Sequence, residues 1–166
     1  GDDNGLVLPP RIAPTQVAII PIGDENIVNP VIDRIKDELK KSNITFKVDN
    51  SEKSPGFKFA EAEVNGIPVR IEVGARDLAN NLITIARRDM DDKRQISVNE
   101  DVALYVKELM EDIQSNLFNK AKIRMESLTF EADTLQDVEE IMNNHPGFIK
   151  ADWCGEEACE LKMKEI

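Results

Sequence analysis

Between Ser54 and Asp89 the chain concentrates an aromatic ring, carboxylates and arginines at spacings that regular structure can bring together. The stretch Gly56-Phe-Lys-Phe-Ala-Glu-Ala-Glu-Val-Asn-Gly66 is short and charged for a core helix. Wound as a helix, it puts Phe59 and Glu63 four residues apart on one face, pairing a ring that can stack with a carboxylate that can accept hydrogen bonds. Further on, Arg70 and Glu72 share the face opposite Val69, Ile71 and Val73, and that run ends at Gly74-Ala-Arg-Asp77. A charged cluster thus gathers at the end of a strand and in the loop beyond it, where open α/β sheets hold ligands. Residues 51–90 carry six basic and six acidic side chains, a neutral stretch in a chain of net charge -11. Two readings stand at this point: a solvated face of short-range ion pairs, or a binding surface.

A second group is Cys154 and Cys159, with Gly155 able to turn the chain between them. Two thiolates make half of a structural zinc site, which needs four ligands. The other readings are two ordinary thiols or a regulatory disulfide. The spacing excludes a C-x-x-C redox motif. His145 is the one histidine, nine residues before Cys154 across Pro146-Gly147, and no nucleophile and carboxylate stand near it at triad spacing. Neither G-x-x-x-x-G-K-[ST] nor G-x-G-x-x-G occurs, so no glycine loop cradles a nucleotide.

Composition narrows the classes. At 166 residues and 41% apolar content the chain can bury a core without disulfides, and it is not a disordered tail. The net charge of -11 argues against a DNA-coating or anionic-membrane protein while leaving room for local basic groups. No apolar run reaches the roughly 18 residues of a membrane span and no signal pattern opens the chain, so it reads as soluble and intracellular. A start at Gly1 without methionine points to a piece of a longer chain.

The elements that must hold these groups follow from periodicity. Residues 1–16, with Pro9, Pro10 and Pro14, read as an extended lead-in. Val17-Ala-Ile-Ile-Pro-Ile22 reads as a buried strand. Val28, Val31, Ile32, Ile35 and Leu39 form a helical stripe that puts Pro30 in the first turn. Alternation predicts strands through Ile44, Phe46 and Val48, through Ile67 to Val73, from Leu82 to Arg88, and from Lys93 to Ser97. Ser97 and Glu100 read as a capping box that opens the longest helix, with Val102, Tyr105, Val106, Leu109, Met110, Ile113 and Leu117 on its inner stripe. After residue 128 the pattern restarts. A short helix capped by Thr134 and Asp137 carries Leu135, Val138, Ile141 and Met142, a strand runs from Phe148 to Trp153, and a polar helix closes the chain. The residues alone describe an α/β protein with one charged cluster.

The ordered series goes further. Gly1-Asp-Asp-Asn-Gly-Leu-Val-Leu-Pro-Pro-Arg-Ile-Ala-Pro14, Gln16-Val-Ala-Ile-Ile-Pro-Ile22, Ser54-Pro-Gly-Phe-Lys-Phe59, Gly66-x-Pro-x-Arg-x-Glu-x-Gly-x-Arg-Asp77 and Arg87-Arg-Asp89 together resemble the C-terminal part of prolyl-tRNA synthetases of the archaeal and eukaryotic type. Asp152-Trp-Cys-Gly-x-x-x-Cys-Glu160 is similar to the first half of that family's zinc-binding module. The resemblance covers the whole chain. It implies a linker at residues 1–11, an anticodon-binding domain at 12–116 built as a mixed sheet of about five strands flanked by helices, and a small α/β C-terminal module at 117–166. Ala75 stands where the family often has proline. The second cysteine pair of the module is missing, which leaves Cys154 and Cys159 as a half-site and makes bound zinc an unexpected cofactor here.

The resemblance also implies recognition of the tRNA(Pro) anticodon stem-loop, within an enzyme that attaches proline to tRNA using ATP and Mg. This stretch would itself be non-catalytic. Proline codons begin with two cytosines, so the anticodon offers two guanines. Glu63 and Asp77 can accept from the guanine N1-H and N2-H2 edge, Arg70 and Arg76 can reach O6 and N7, and Phe59 can stack on a base. Lys58 and Arg88 are expected as phosphate or base neighbours. The expected partners are tRNA without DNA or membrane, in the cytoplasm, with a homodimeric parent and a monomeric piece. The alternatives are the related domain of a histidyl-, threonyl- or glycyl-tRNA synthetase, a small thiol-redox enzyme, and a non-catalytic α/β interaction module.

Overall fold

A computed structural model describes all residues from Gly1 to Ile166. They divide into two compact units, Gly1–Leu117 and Phe118–Ile166. None of the helices is long and apolar enough to cross a membrane.

In the first unit β1 (Val17–Ile22) leads into α1 (Glu25–Lys41), followed by β2 (Phe46–Val48), α2 (Pro55–Val64), β3 (Val69–Gly74), the single turn α3 (Ala75–Leu78), β4 (Leu82–Arg87), β5 (Asp92–Ser97) and the first part of α4 (Val102–Ser127), whose residues from Phe118 on belong to the second unit. The sheet order is β2-β1-β3-β4-β5. β1 lies parallel to both β2 and β3, because α1 and α2 each return the chain to the same edge, whereas short turns make β4 and β5 antiparallel. The sheet is therefore mixed and flanked by helices.

One face of the sheet forms the core. Val17, Ile19, Val69, Ile71, Val73, Ile83 and Ile85 join Val28, Ile32, Ile35 and Leu39 of α1 and Val102, Val106, Met110 and Ile113 of α4 in one buried cluster. Period 2 on the strands and 3.6 on the helices point these residues at one another. Strand β3, central in the sheet, is buried along its whole length, and its second face carries Arg70 and Glu72.

Several boundaries differ from those that periodicity predicts. α1 begins three residues before Val28, because the Asp24 carboxylate caps it by accepting from the Asn26 N–H at 2.9 Å. Pro30 accordingly lies inside the helix, past its first turn. Ile44 and Ile67 fall outside the strands. Ser97 and Glu100 close a turn instead of opening α4: the Glu100 carboxylate accepts from the Ser97 N–H, while the Asp101 carboxylate accepts from the Leu104 N–H and takes the cap. The stretch after Gly74, expected as loop, winds into α3.

The lead-in is held along much of its length. Leu6 N–H donates to Val64 O at 3.1 Å and Leu8 N–H to Gly66 O at 3.3 Å, while Pro10 and Ala13 are buried. Gly66 is required here: its φ is +68° and a Cβ would sit 2.7 Å from the Leu6 side chain.

The second unit contains a β-α-β step that periodicity only half showed. β6 (Thr129–Ala132) pairs in parallel with β7 (Phe148–Ala151) across α5 (Leu135–Asn144), and α6 (Glu157–Glu165) follows. Periodicity does not reveal β6, because four residues carry too little alternation to register. Thr134 Oγ1 accepts from the Asp137 N–H at 3.2 Å and Asp137 Oδ2 accepts from the Thr134 N–H at 2.9 Å, a reciprocal capping box. Thr134→Ala is expected to destabilise this unit by about 1 kcal/mol. Urea unfolding followed by helical circular dichroism would test it, and an unchanged midpoint would refute it.

Candidate functional site

The strand register explains how the site is assembled. Arg70 on β3 lies opposite Ala86 on β4, which lies opposite Lys93 on β5; the next row is Glu72, Thr84 and Gln95. All six side chains share the face away from the core. The middle strand contributes only alanine and threonine, so the long polar side chains of β3 and β5 meet over it, with Lys93 bridging to Glu72, and Glu63, Arg70, Ala86 and Lys93 line a polar trough. α2 borders it. Ser54 caps that helix by accepting from the Phe57 N–H, Pro55 sits at its start where no donor is lost, and one turn separates Phe59 from Glu63.

Arg70 is the hub. Its Nη1 donates to Glu63 Oε1 at 2.9 Å and its Nε to Glu72 Oε1 at 3.0 Å, while its guanidinium lies 4.5 Å from the centre of the Phe59 ring. Lys93 Nζ donates to the same Glu72 oxygen at 3.0 Å and sits 4.9 Å from the Phe59 ring. The Arg70 side chain is 7% exposed, against 39% for Glu63 and 46% for Lys93. A rigid buried cation therefore holds groups whose free edges face solvent. At the neighbouring end of β3, Asp77 Oδ1 accepts from Gln95 Nε2 at 3.3 Å, and Arg76 is exposed on α3. Such an arrangement can stack a planar ring, accept from its donors and donate to its acceptors.

Phe59, Glu63 and Arg70 are thus in direct contact, with Asp77 tied to the same strand β5 as Lys93. Lys58 and Arg88 sit differently from their expected roles as phosphate or base neighbours. Lys58 follows Phe57 and precedes Phe59 on α2, so it projects about 100° round the helix from that ring. It is buried, and its ammonium donates to Asp49 O at 3.0 Å. Arg88 is buried too: its Nε donates to Glu63 O at 3.0 Å, and its two Nη groups donate to the Asp2 carboxylate at 2.7 and 2.5 Å. That fork holds Asp2 well below the usual carboxylate range. Sequence reasoning missed Lys93 and Gln95 as site residues. Their signal was the Lys-x-Gln alternation on the fifth strand, which acquires meaning only through the register.

Beside the trough, Arg87 and Asp89 form a bidentate pair at 2.6 and 2.7 Å, with Asn116 Nδ2 donating to Asp89 at 2.5 Å. Burial pushes the Asp89 carboxyl up, but the hydrogen bonds from Arg87 and Asn116 outweigh it, so the net shift is downward. This pair secures the β4–β5 turn to α4.

In the second unit Cys154 and Cys159 are free and exposed and line one cavity of about 230 Å3 with Trp153, Leu135, Val138 and Met163. The Glu156 N–H lowers the Cys154 thiol, and Cys154 in turn raises Cys159. His145 ends α5 and stacks on Phe130 at 5.6 Å. No group of three His, Cys, Asp or Glu converges anywhere in the structure, so a four-ligand zinc site does not fit these residues.

The fold is a mixed five-stranded sheet flanked by helices, and residues 16–115 match the family described as the anticodon binding domain. The chain belongs to that family. Its relatives are proline–tRNA ligases: 41% identity over 168 residues to that of Clostridium botulinum strain Loch Maree, covering 100% of this chain and 34% of the relative. The enzyme of Lachnoclostridium phytofermentans is 42% identical over 167 residues, and that of Mycoplasma mycoides 43% over 163, again at 34% of each relative. The chain thus spans about a third of the length of the curated relatives it matches.

Proposed function

We propose that this chain reads the two guanines of the tRNA(Pro) anticodon through the trough between β3 and β5, as part of a longer proline–tRNA ligase of the archaeal and eukaryotic type. The convergence of Phe59, Glu63 and Arg70, with Arg76 and Asp77 at the adjoining strand end, supports this reading most strongly. Glu63 and Asp77 accept from the guanine N1-H and N2-H2 edge, Arg76 donates to O6 or N7, and Arg70 holds Glu63 and the Phe59 ring in place. Arg88 and Lys58 act from behind the surface.

The longer protein would attach proline to tRNA at the expense of ATP, with Mg, through residues outside this stretch. We divide the chain as a linker at 1–11, the reading domain at 12–116 and an accessory module at 117–166, whose two thiols hold zinc weakly at most. A cytoplasmic setting accords with two exposed free thiols. The ligase would be a homodimer and this chain a monomer.

Binding of anticodon stem-loop RNAs at one fixed salt concentration tests the reading. Arg76→Ala and Asp77→Ala are each expected to cost roughly 1 to 3 kcal/mol against the loop with both guanines, and to narrow its advantage over loops with either guanine replaced. Equal binding of all loops by the wild type, unchanged in both variants, would show the trough to be only a solvated charged face.

A further inference from the structure

We propose that the Asp2–Arg88 ion pair is a positioning device for the reading groups, tying the segment ahead of β1 to the end of α2 and thereby setting how Glu63, held by Arg70, meets a base. The inference rests on the anticodon reading above. Its basis is a continuous chain of bonds. Asp2 is held in a turn with Gly5, and that turn is anchored by the Leu6 N–H to Val64 O bond at 3.1 Å. Its carboxylate takes both Nη groups of Arg88, whose side chain is 6% exposed. Arg88 Nε then donates to the Glu63 carbonyl in the last turn of α2, where a cation also favours the helix end. The Glu63 carboxylate passes the connection to Arg70 Nη1, and Arg70 Nε to Glu72. Asp2, Glu63, Arg70, Arg88 and Lys93 line one cavity of about 320 Å3.

The energetics give the pair its leverage. A buried guanidinium must keep a carboxylate partner, because an unpaired buried charge is strongly unfavourable. Without the Asp2 charge, the other carboxylate whose charge acts on Arg88 is that of Glu63, the residue whose carbonyl Arg88 Nε already holds. Arg88 would then compete with Arg70 for Glu63, turning the carboxylate away from the trough. Asp2 thus leaves Glu63 free to serve Arg70 and a base, although 86 residues separate Asp2 from Arg88.

The test uses Asp2→Asn, which keeps the shape and removes the charge, and Asp2→Glu, which keeps the charge. Hydrogen exchange of the Arg70 Nε–H, followed by NMR, reads positioning without RNA. Stem-loop RNAs with guanine or inosine in the anticodon read its consequence, since inosine lacks the N2 donor that Glu63 accepts. Asp2→Asn is expected to accelerate the Arg70 exchange and to weaken the guanine loop about 3- to 10-fold, the inosine loop less, with an unchanged salt slope. Asp2→Glu should restore both. Unchanged Arg70 exchange, equal weakening of both loops, or tighter binding with a steeper salt slope would overturn the proposal. If exchange accelerates but the wild type binds both loops alike, the link from Asp2 to Arg70 stands and the anticodon reading falls.

Discussion

An Arg70→Met chain is expected to lose about 3 kcal/mol of folding stability together with the preference for guanine-bearing loops that the proposed anticodon reading assigns to it. The two losses share one cause. Arg70 is nearly enclosed, and its fork holds Glu63 from α2 and Glu72 from β3 while its plane lies over Phe59. Methionine fills the volume but leaves the largely buried Glu72 carboxylate with Lys93 alone. The cost therefore lies near the lower end of that for breaking a buried pair. Urea unfolding should show the shift, and stem-loop binding should show the lost preference at concentrations where the variant is folded. Arg76→Ala, on an exposed side chain, should lose binding without stability. If Arg70→Met kept full stability, Arg70 would not be the hub that holds the site. If it kept full discrimination, Arg70 would be structural only.

Asp89→Asn is expected to cost about 3 kcal/mol at neutral pH, because it removes the carboxylate from a bidentate pair with no exposure on the Asp89 side and 8% on the Arg87 side and leaves Arg87 only its exposed partner Asp112. The penalty should depend on pH in one direction. The folded carboxyl is depressed below its unfolded value, so its stabilisation is complete above about pH 4 and is lost as pH falls through the folded value. Acid protonates the wild-type group and removes the same interaction that the substitution removes. The stability gap between wild type and Asp89→Asn should therefore narrow from pH 7 to about pH 3. A gap of constant size would mean that the pair contributes through shape and not through charge.

Chemistry and fold were legible to different depths. The apolar stripes of α1 and α4 and the alternation of β3 could be read directly, since burial on one face repeats at the local period of the chain. Phe59 and Glu63 could be paired because one helical turn joins them. Lys58, one residue from Phe59, could not be placed, since its role depends on which side of α2 the sheet covers. Expected as a phosphate or base neighbour, it turns inward to Asp49 O, while Lys93 joins Arg70 beside the Phe59 ring. Arg88, expected as a phosphate or base neighbour, has its fork committed to the Asp2 carboxylate near the start of the chain.

The α/β character, the core, the family resemblance and the types of group available between Ser54 and Asp89 were therefore all present in the order of the residues. They depend on periodicity and succession, which are properties of the chain alone. Which of those groups lie together was decided by folding. Strand register set Lys93 and Gln95 across from Arg70 and Glu72 over the small side chains of Ala86 and Thr84. The close docking of the lead-in at Gly66 brought Asp2 to Arg88. A cation in a folded protein goes to whichever oxygen remains unpaired within its reach, and that choice is made in space, after the chain has closed on itself.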